Sequence, residues 1–235
     1  MDVDFVEFAK FGVNAKINYM RSFAFIFISI LSLFISCGCL SRSEAGSNSD
    51  TEESVAVPGL NYQRLKKYAG EARKYCSRNK MNVEVCLLAD MSIHSGKERF
   101  VVWDFNKDTI RASGLVSHGC SDNPWGKDRS KDAPVFSNKQ DSHCSSLGKY
   151  KIGTRGYSQW GIHVKYLMHG LDTSNSNALS REIVLHGWDA ISDQEVYPDG
   201  TPEGWGCLAV SNKFMTKLDR VLKDKKRPVL LWAFE

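Results

Sequence analysis

Between residues 61 and 79, apolar side chains recur at Tyr62, Leu65, Tyr68, Ala69, Ala72, Tyr75 and Cys76. This three-and-four spacing predicts an amphipathic helix, with Arg64, Lys67, Arg73 and Lys74 on its outer face. Past Val83 the period falls to two. Residues 83–91, 99–105 and 110–118 read as strands, separated by Ser-Gly-Lys and Asn-Lys-Asp turns. Residues 181–187 and 228–234 read as later strands. The stretch 117–154 is rich in Ser, Gly, Asp and Asn and predicts long ordered loops. Residues 211–222 predict a short second helix, with Phe214, Leu218, Val221 and Leu222 on one face and Ser211 as its N-cap. The pattern is mainly β, of the α+β class, in one domain over residues 61–235. No internal repeat, G-x-G-x-x-G or P-loop interrupts it.

The N-terminal part is organised differently. Residues 23–37, FAFIFISILSLFISC, form an apolar run of fifteen. A spanning helix needs about 20 residues, whereas secretory apolar cores run about 7–15. Arg21 precedes the run, and Ser36-Cys37 and Gly38-Cys39 close it. A small residue before a cysteine at this point resembles a bacterial lipoprotein processing site, with Cys37 (or Cys39) as the lipidated residue. Met20-Arg21-Ser22 would make a normal short leader start, so translation is expected to begin at Met20. Residues 1–39 are thus a signal segment. Residues 40–60, rich in Ser and Glu, are expected to be a flexible tether.

Charge follows the same division. The chain carries +4 overall. Its first 36 residues balance and residues 37–60 carry −3, leaving about +7 on the body. A basic body exported on an acidic tether suits an anionic partner such as cell-wall polymer or lipid head groups, and not nucleic acid. Ordinary solubility charge gives the same numbers.

Seven cysteines, an odd count, leave at least one unpaired, lipidated or shared. Two Gly-Cys dipeptides stand out, Ser117-His118-Gly119-Cys120 and Gly204-Trp205-Gly206-Cys207. The second follows an apolar strand that ends in Ile183-Val184-Leu185-His186-Gly187. A thiol nucleophile needs a base within hydrogen-bond reach and backbone N–H groups aimed at the oxyanion. His186 at a strand end and Cys207 in a glycine-flanked loop could converge. A zinc site built from His118, Cys120, His143, Cys144 and His186 lacks C-x-x-C or H-E-x-x-H spacing, so no metal or other cofactor is expected.

The segment VLHGWDAISDQEVYPDGTPEGWGCLAVS resembles the catalytic segment of murein L,D-transpeptidases of the YkuD-like superfamily, in which a strand ending in His-Gly leads to a Gly-Cys nucleophile. Other blocks are similar to one branch, the murein L,D-transpeptidase catalytic domain family. They are Leu87-Leu88-Ala89-Asp90 with Arg99-Phe100-Val101-Val102, then Val116-Ser117-His118-Gly119, then Phe136-Ser137-Asn138 with residues 142–148, and Asn177-Ala178-Leu179-Ser180-Arg181. The resemblance spans roughly residues 85–234 and matches the front helix weakly. It implies an L,D-transpeptidase-like β-sandwich or barrel with an N-terminal helix and a short helix after the nucleophile.

The better-known branch carries Ser-His-Gly-Cys, a string that Ser117-His118-Gly119-Cys120 reproduces. Cys120 lacks an upstream strand-His-Gly partner and falls too early in the block order, so the resemblance points to Cys207. There Trp205 stands where that branch has histidine. His186 is then the first choice for the base, followed by His118 and His143, each of which could instead orient the substrate or the base. Gly206, Trp205 and Gly187 would line the site, with the Gly206 and Cys207 amides at the oxyanion. Ser137, Asn138, Ser145 and Ser146 either contact a stem peptide or serve as turn chemistry.

The implied chemistry is acyl transfer on peptidoglycan stem peptides. A Cys207 thiolate, its pKa lowered by a nearby imidazole, forms a thioester and releases terminal D-alanine. Attack by an amine would cross-link, and attack by water would make an L,D-carboxypeptidase. A decayed wall-binding module is the remaining alternative. Cys76, Cys86, Cys120 and Cys144 could form the bridges Cys76–Cys86 and Cys120–Cys144, or stay as buried thiols. Trp125, Trp160 and Trp188 line a groove or pack a core edge. The expected location is the bacterial cell envelope, on the periplasmic side, with the membrane held through the lipid anchor.

Overall fold

A computed structural model describes residues 59–122 and 133–235. The leader and processing-site readings at Cys37 and Cys39, nearly all of the tether, and Trp125 lie outside the described residues.

Helix α1 (Tyr62–Arg78) forms where the three-and-four spacing places it. The Asn61 side chain accepts from the Arg64 amide, and the Asn79 amide donates back to the Tyr75 carbonyl. Its buried stripe is Leu65, Ala69, Ala72 and Cys76, with Tyr62, Tyr68 and Tyr75 partly buried beside it. One predicted outer residue turns inward. The Arg64 Nε donates to the Asp90 carboxylate at 2.8 Å, and its guanidinium lies over the rings of Tyr68 and Phe234. A carboxylate buried at a strand end needs such a cation.

The strands are β1 (Val85–Asp90), β2 (Phe100–Asp104), β3 (Thr109–Gly114), β4 (Gly148–Tyr157), β5 (Val164–Gly170), β6 (Val184–Gly187), β7 (Leu208–Val210) and β8 (Leu230–Phe234). They form one sheet in the order β3-β2-β1-β8-β4-β5-β6-β7. All six residues of β1 are buried. Val85, Leu87 and Ala89 face the main core, while Cys86 and Leu88 face the layer under α1. A strand covered on both faces reads as a continuous apolar run.

The third predicted strand ends at Gly114, four residues before the expected His118. The chain beyond it crosses to the far side of the sheet. Val116 pairs antiparallel with Val210 of β7, and Gly119 pairs parallel with Gly204. The continuation of one edge thus meets the opposite edge strand, and the sheet curls toward closure, as a mainly β barrel-like fold requires.

Three strands, β4, β5 and β7, lie beyond those the pattern predicts. The expected loop stretch ends at Gly148, where β4 begins. This strand buries only Tyr150 and Ile152, and its pairing with β5 shifts register between Ile152 and Arg155. In β5 the buried residues alternate as Val164, Tyr166 and Met168. Helix α2 (Asn212–Leu222) is capped by Ser211, which accepts from the Phe214 amide, and buries Phe214, Met215, Leu218, Val221 and Leu222.

Candidate active site

Strands β6 and β7 run parallel, with Leu185 opposite Leu208 and His186 opposite Ala209. Leu185 and Leu208 point into the main core. Alternation therefore puts Val184, His186, Cys207 and Ala209 on the other face of the ribbon. Cys207 immediately precedes β7 and meets the start of β6. Its sulfur accepts from the Val184 amide at 3.5 Å and donates to the Glu182 carbonyl at 3.7 Å. His186 lies one rung further on, on the neighbouring strand. Its Nδ1 faces the Gly187 carbonyl at 2.9 Å. A carbonyl can only accept, so Nδ1 carries the proton and Nε2 keeps its lone pair. Among the described residues, no hydrogen bond joins Cys207 to His186.

At rest, burial works against the expected thiolate. Burial raises the Cys207 thiol above its ordinary value, opposed by the Val184 amide and by the charges of Lys165 and Arg181. Burial also lowers His186 below its usual range, against the Gly187 hydrogen bond and with the help of Lys165. Both effects favour the neutral pair over a thiolate–imidazolium pair at rest.

Gly206 fixes the backbone before the sulfur. It has φ +100°, and a Cβ there would fall 2.5 Å from the Cys144 carbonyl oxygen. Only glycine fits this conformation and this approach. The amides of Gly206 and Cys207 donate to no other described residue. Gly187, at the end of β6, packs against Asn212 and Met215 of α2.

Trp205 is 63% exposed, and its ring lies 5.1 Å from that of the exposed His143. Trp160 and Trp188 meet edge to face beyond Gly187, with Trp160 half exposed.

The loop before β4 is tied from within. Ser145 Oγ accepts from the Gly119 amide and donates to the Gly206 carbonyl. Ser146 Oγ donates to the Ser137 carbonyl. Asn138 donates to Thr173 and Ser176 and accepts from Asn177. Arg181 gathers these pieces. Its Nη1 donates to the Ser137 carbonyl and Ser146 Oγ, and its Nη2 to Ser142 Oγ and the Cys144 carbonyl. Ser137, Asn138, Ser145 and Ser146 are thus engaged in ties within and between loops.

His118 sits elsewhere, only 1% exposed. Arg99, itself fully buried, donates from Nη2 to His118 Nδ1 at 2.9 Å, and His118 Nε2 faces Glu203 at 3.4 Å. Both ring nitrogens are engaged, so His118 has no lone pair to offer as a base. Its backbone carbonyl accepts from the Gly204 amide, and the Cys120 amide donates to the Gly204 carbonyl. A buried Arg99–His118–Glu203 chain therefore braces the loop that carries Cys207. Glu203 and Arg99 lie 104 positions apart, and no spacing in the sequence joins them. Of the two cysteine readings, the structure takes the second. Cys76, Cys86, Cys120, Cys144 and Cys207 are all free thiols.

The arrangement places a cysteine sulfur and an oriented imidazole on one face of two adjacent strands at the edge of the sheet. The sequence matches the family described as L,D-transpeptidase catalytic domain over residues 57–232. The chain belongs to that family, and the match takes in α1. No curated protein matches. Among solved structures, the chain is similar to the helical cell shape determining protein Pgp2 from Campylobacter jejuni. Identity there is 14% and the TM-score 0.40, over 64% of this chain and 47% of that one. A point mutant of the same protein gives a TM-score of 0.41 at the same identity and coverage. An L,D-transpeptidase from Xylanimonas cellulosilytica DSM 15894 is 11% identical with a TM-score of 0.36, over 64% of this chain and 60% of that one. The chain thus spans about half the length of the Pgp2 chains it matches.

Proposed function

We propose that this protein is a cysteine acyltransferase acting on peptidoglycan stem peptides, with Cys207 as nucleophile and His186 as general base. One observation carries the reading. Cys207 and His186 emerge on one face of adjacent strands, and the Gly187 carbonyl holds the imidazole as the tautomer with a free Nε2. Two residues along and one strand across is roughly 8 Å between backbones, a span that two side chains leaning together close.

Because both groups start neutral, the proton moves as the sulfur attacks. The thiol proton passes to His186 Nε2 while Sγ bonds to the carbonyl carbon of an L–D peptide bond. The oxyanion is held by the Gly206 and Cys207 amides. On collapse the C–N bond breaks, and imidazolium returns the proton to the leaving amine of D-alanine. The Cys207 thioester remains. A side-chain amine from a second stem then attacks, its proton going to His186 and from there to sulfur. Arg99, His118 and Glu203 act as positioning residues beneath the Gly204–Cys207 loop. The same reading has the chain exported and held at the envelope through Cys37 or Cys39.

The test is product analysis with a disaccharide tetrapeptide and the full chain. Release of D-alanine with a cross-linked dimer supports transpeptidation, and release with tripeptide alone makes the site an L,D-carboxypeptidase. Activity lost in Cys120→Ala and kept in Cys207→Ala overturns the nucleophile assignment.

A further inference from the structure

We infer that Lys165 binds the α-carboxylate of the departing terminal residue and so selects stem peptides that end one residue past the attacked bond. The inference rests on the function proposed above. Lys165 stands directly opposite His186 in the β5–β6 pair, as Ala209 does in the β6–β7 pair. Lys165, His186 and Cys207 therefore share one face of three neighbouring strands.

Along that face they lie in the order nucleophile, proton donor, ammonium. The substrate has the same order of carbonyl carbon, amide nitrogen and carboxylate. Cys207 and Lys165 are two strands and two residues apart, roughly 12 Å between backbones. A carboxylate one residue beyond the attacked carbonyl lies about 4 Å past it, and an extended lysine reaches across the remainder.

The ammonium is available for this role. Among the described residues, Lys165 makes no hydrogen bond or ion pair. Its stem lies over Gly156 of β4, where a Cβ would lie 3.9 Å from Lys165 Cε, on the side of β5 away from His186. The glycine offers no side chain to hold it there, so the lysine swings back across β5 to meet the substrate. Its charge is felt at both Cys207 and His186. Arg181 is the other cation acting on Cys207, but both of its Nη atoms are committed to the 137–146 loop. Lys165 is thus the cation left for a ligand.

Two tetrapeptide donors that differ only at the C-terminus, free carboxylate or carboxamide, test this with the purified full chain. A charge-assisted contact is worth tenfold or more in kcat/KM. The wild type is expected to prefer the carboxylate by at least that factor. In Lys165→Met and Lys165→Gln the ratio falls to near one, and Lys165→Arg keeps most of it. A structural role would lower both donors alike and leave the ratio standing. Acylation of Cys207 is read by mass in the same samples. Acylation with an unchanged ratio in both variants, or with no wild-type preference, overturns the Lys165 assignment alone. No acylation of the wild type by either donor overturns the proposed function and this inference with it.

Discussion

Replacing Gly206 by alanine tests how tightly the backbone beneath the nucleophile is set. The new methyl carbon would lie 2.5 Å from the Cys144 carbonyl oxygen and 2.9 Å from Ile183 Cδ1, at φ +100°. To reach a tolerable 3.0–3.4 Å from the oxygen, the loop must shift by roughly 0.5–0.9 Å. A left-handed conformation costs a residue with Cβ about 1–2 kcal/mol. Overpacking against a fixed carbonyl adds about 1–3 kcal/mol. The total of about 2–5 kcal/mol lowers Tm by roughly 6–15 °C for a domain of this size. Activity should fall further than stability does, because a nucleophile displaced by about 1 Å loses on the order of 100-fold in rate. The assay is kcat and KM for D-alanine release at a temperature where circular dichroism shows the variant folded. A folded Gly206→Ala variant with wild-type kcat would refute the claim that this contact positions Cys207.

His118→Ala removes the group between Arg99 and Glu203; Arg99 keeps its bonds to the Val116 and Ile93 carbonyls but loses the imidazole acceptor, at a cost of about 1–3 kcal/mol. A urea midpoint unchanged by this substitution would argue against the bracing role. Arg181→Lys removes the fork that holds Ser142, Cys144, Ser146 and Ser137 together, and trypsin is expected to cut after Lys139 several times faster. Equal cutting rates would show that the loop is held by other contacts. Burial lowers His186 from its usual 6.5, so the acid limb of kcat/KM should lie below pH 6.5. The sign for stability agrees. Below that pH the unfolded chain takes up the proton first, so stability contributed at this residue is lost as pH falls. An acid limb centred above 6.5 would contradict the assignment. Cys207, raised from 9.0 by burial, should react with iodoacetamide more slowly at pH 7 than a small-molecule thiol does.

The elements legible in the sequence are those whose causes are local. Asn61, the apolar stripe and Asn79 mark α1 within nineteen residues of chain, and Ser211 marks α2 in the same way. The His-Gly strand and the Gly-Cys loop are visible because each is a short string with a fixed neighbour. Strand β4 is not visible, since only Tyr150 and Ile152 of its ten residues are buried and its start lies in a Ser- and Gly-rich stretch. Arg99 and His118 are further still from legibility. Arg99 reads as the charged flank of a strand and His118 as half of a catalytic string, and only the fold brings both against Glu203. Lys165 is one of many lysines until register sets it opposite His186. Its place is a property of pairing between strands, which composition does not carry.

The central claim is that Cys207 becomes acylated by a stem peptide. Incubating the full chain with disaccharide tetrapeptide, quenching in acid and measuring intact mass tests it most directly. The expected result is an adduct equal to the donor less D-alanine, mapped to the peptide containing Cys207 and lost in Cys207→Ala. An adduct on Cys120, or release of D-alanine by Cys207→Ala at the wild-type rate, would contradict it.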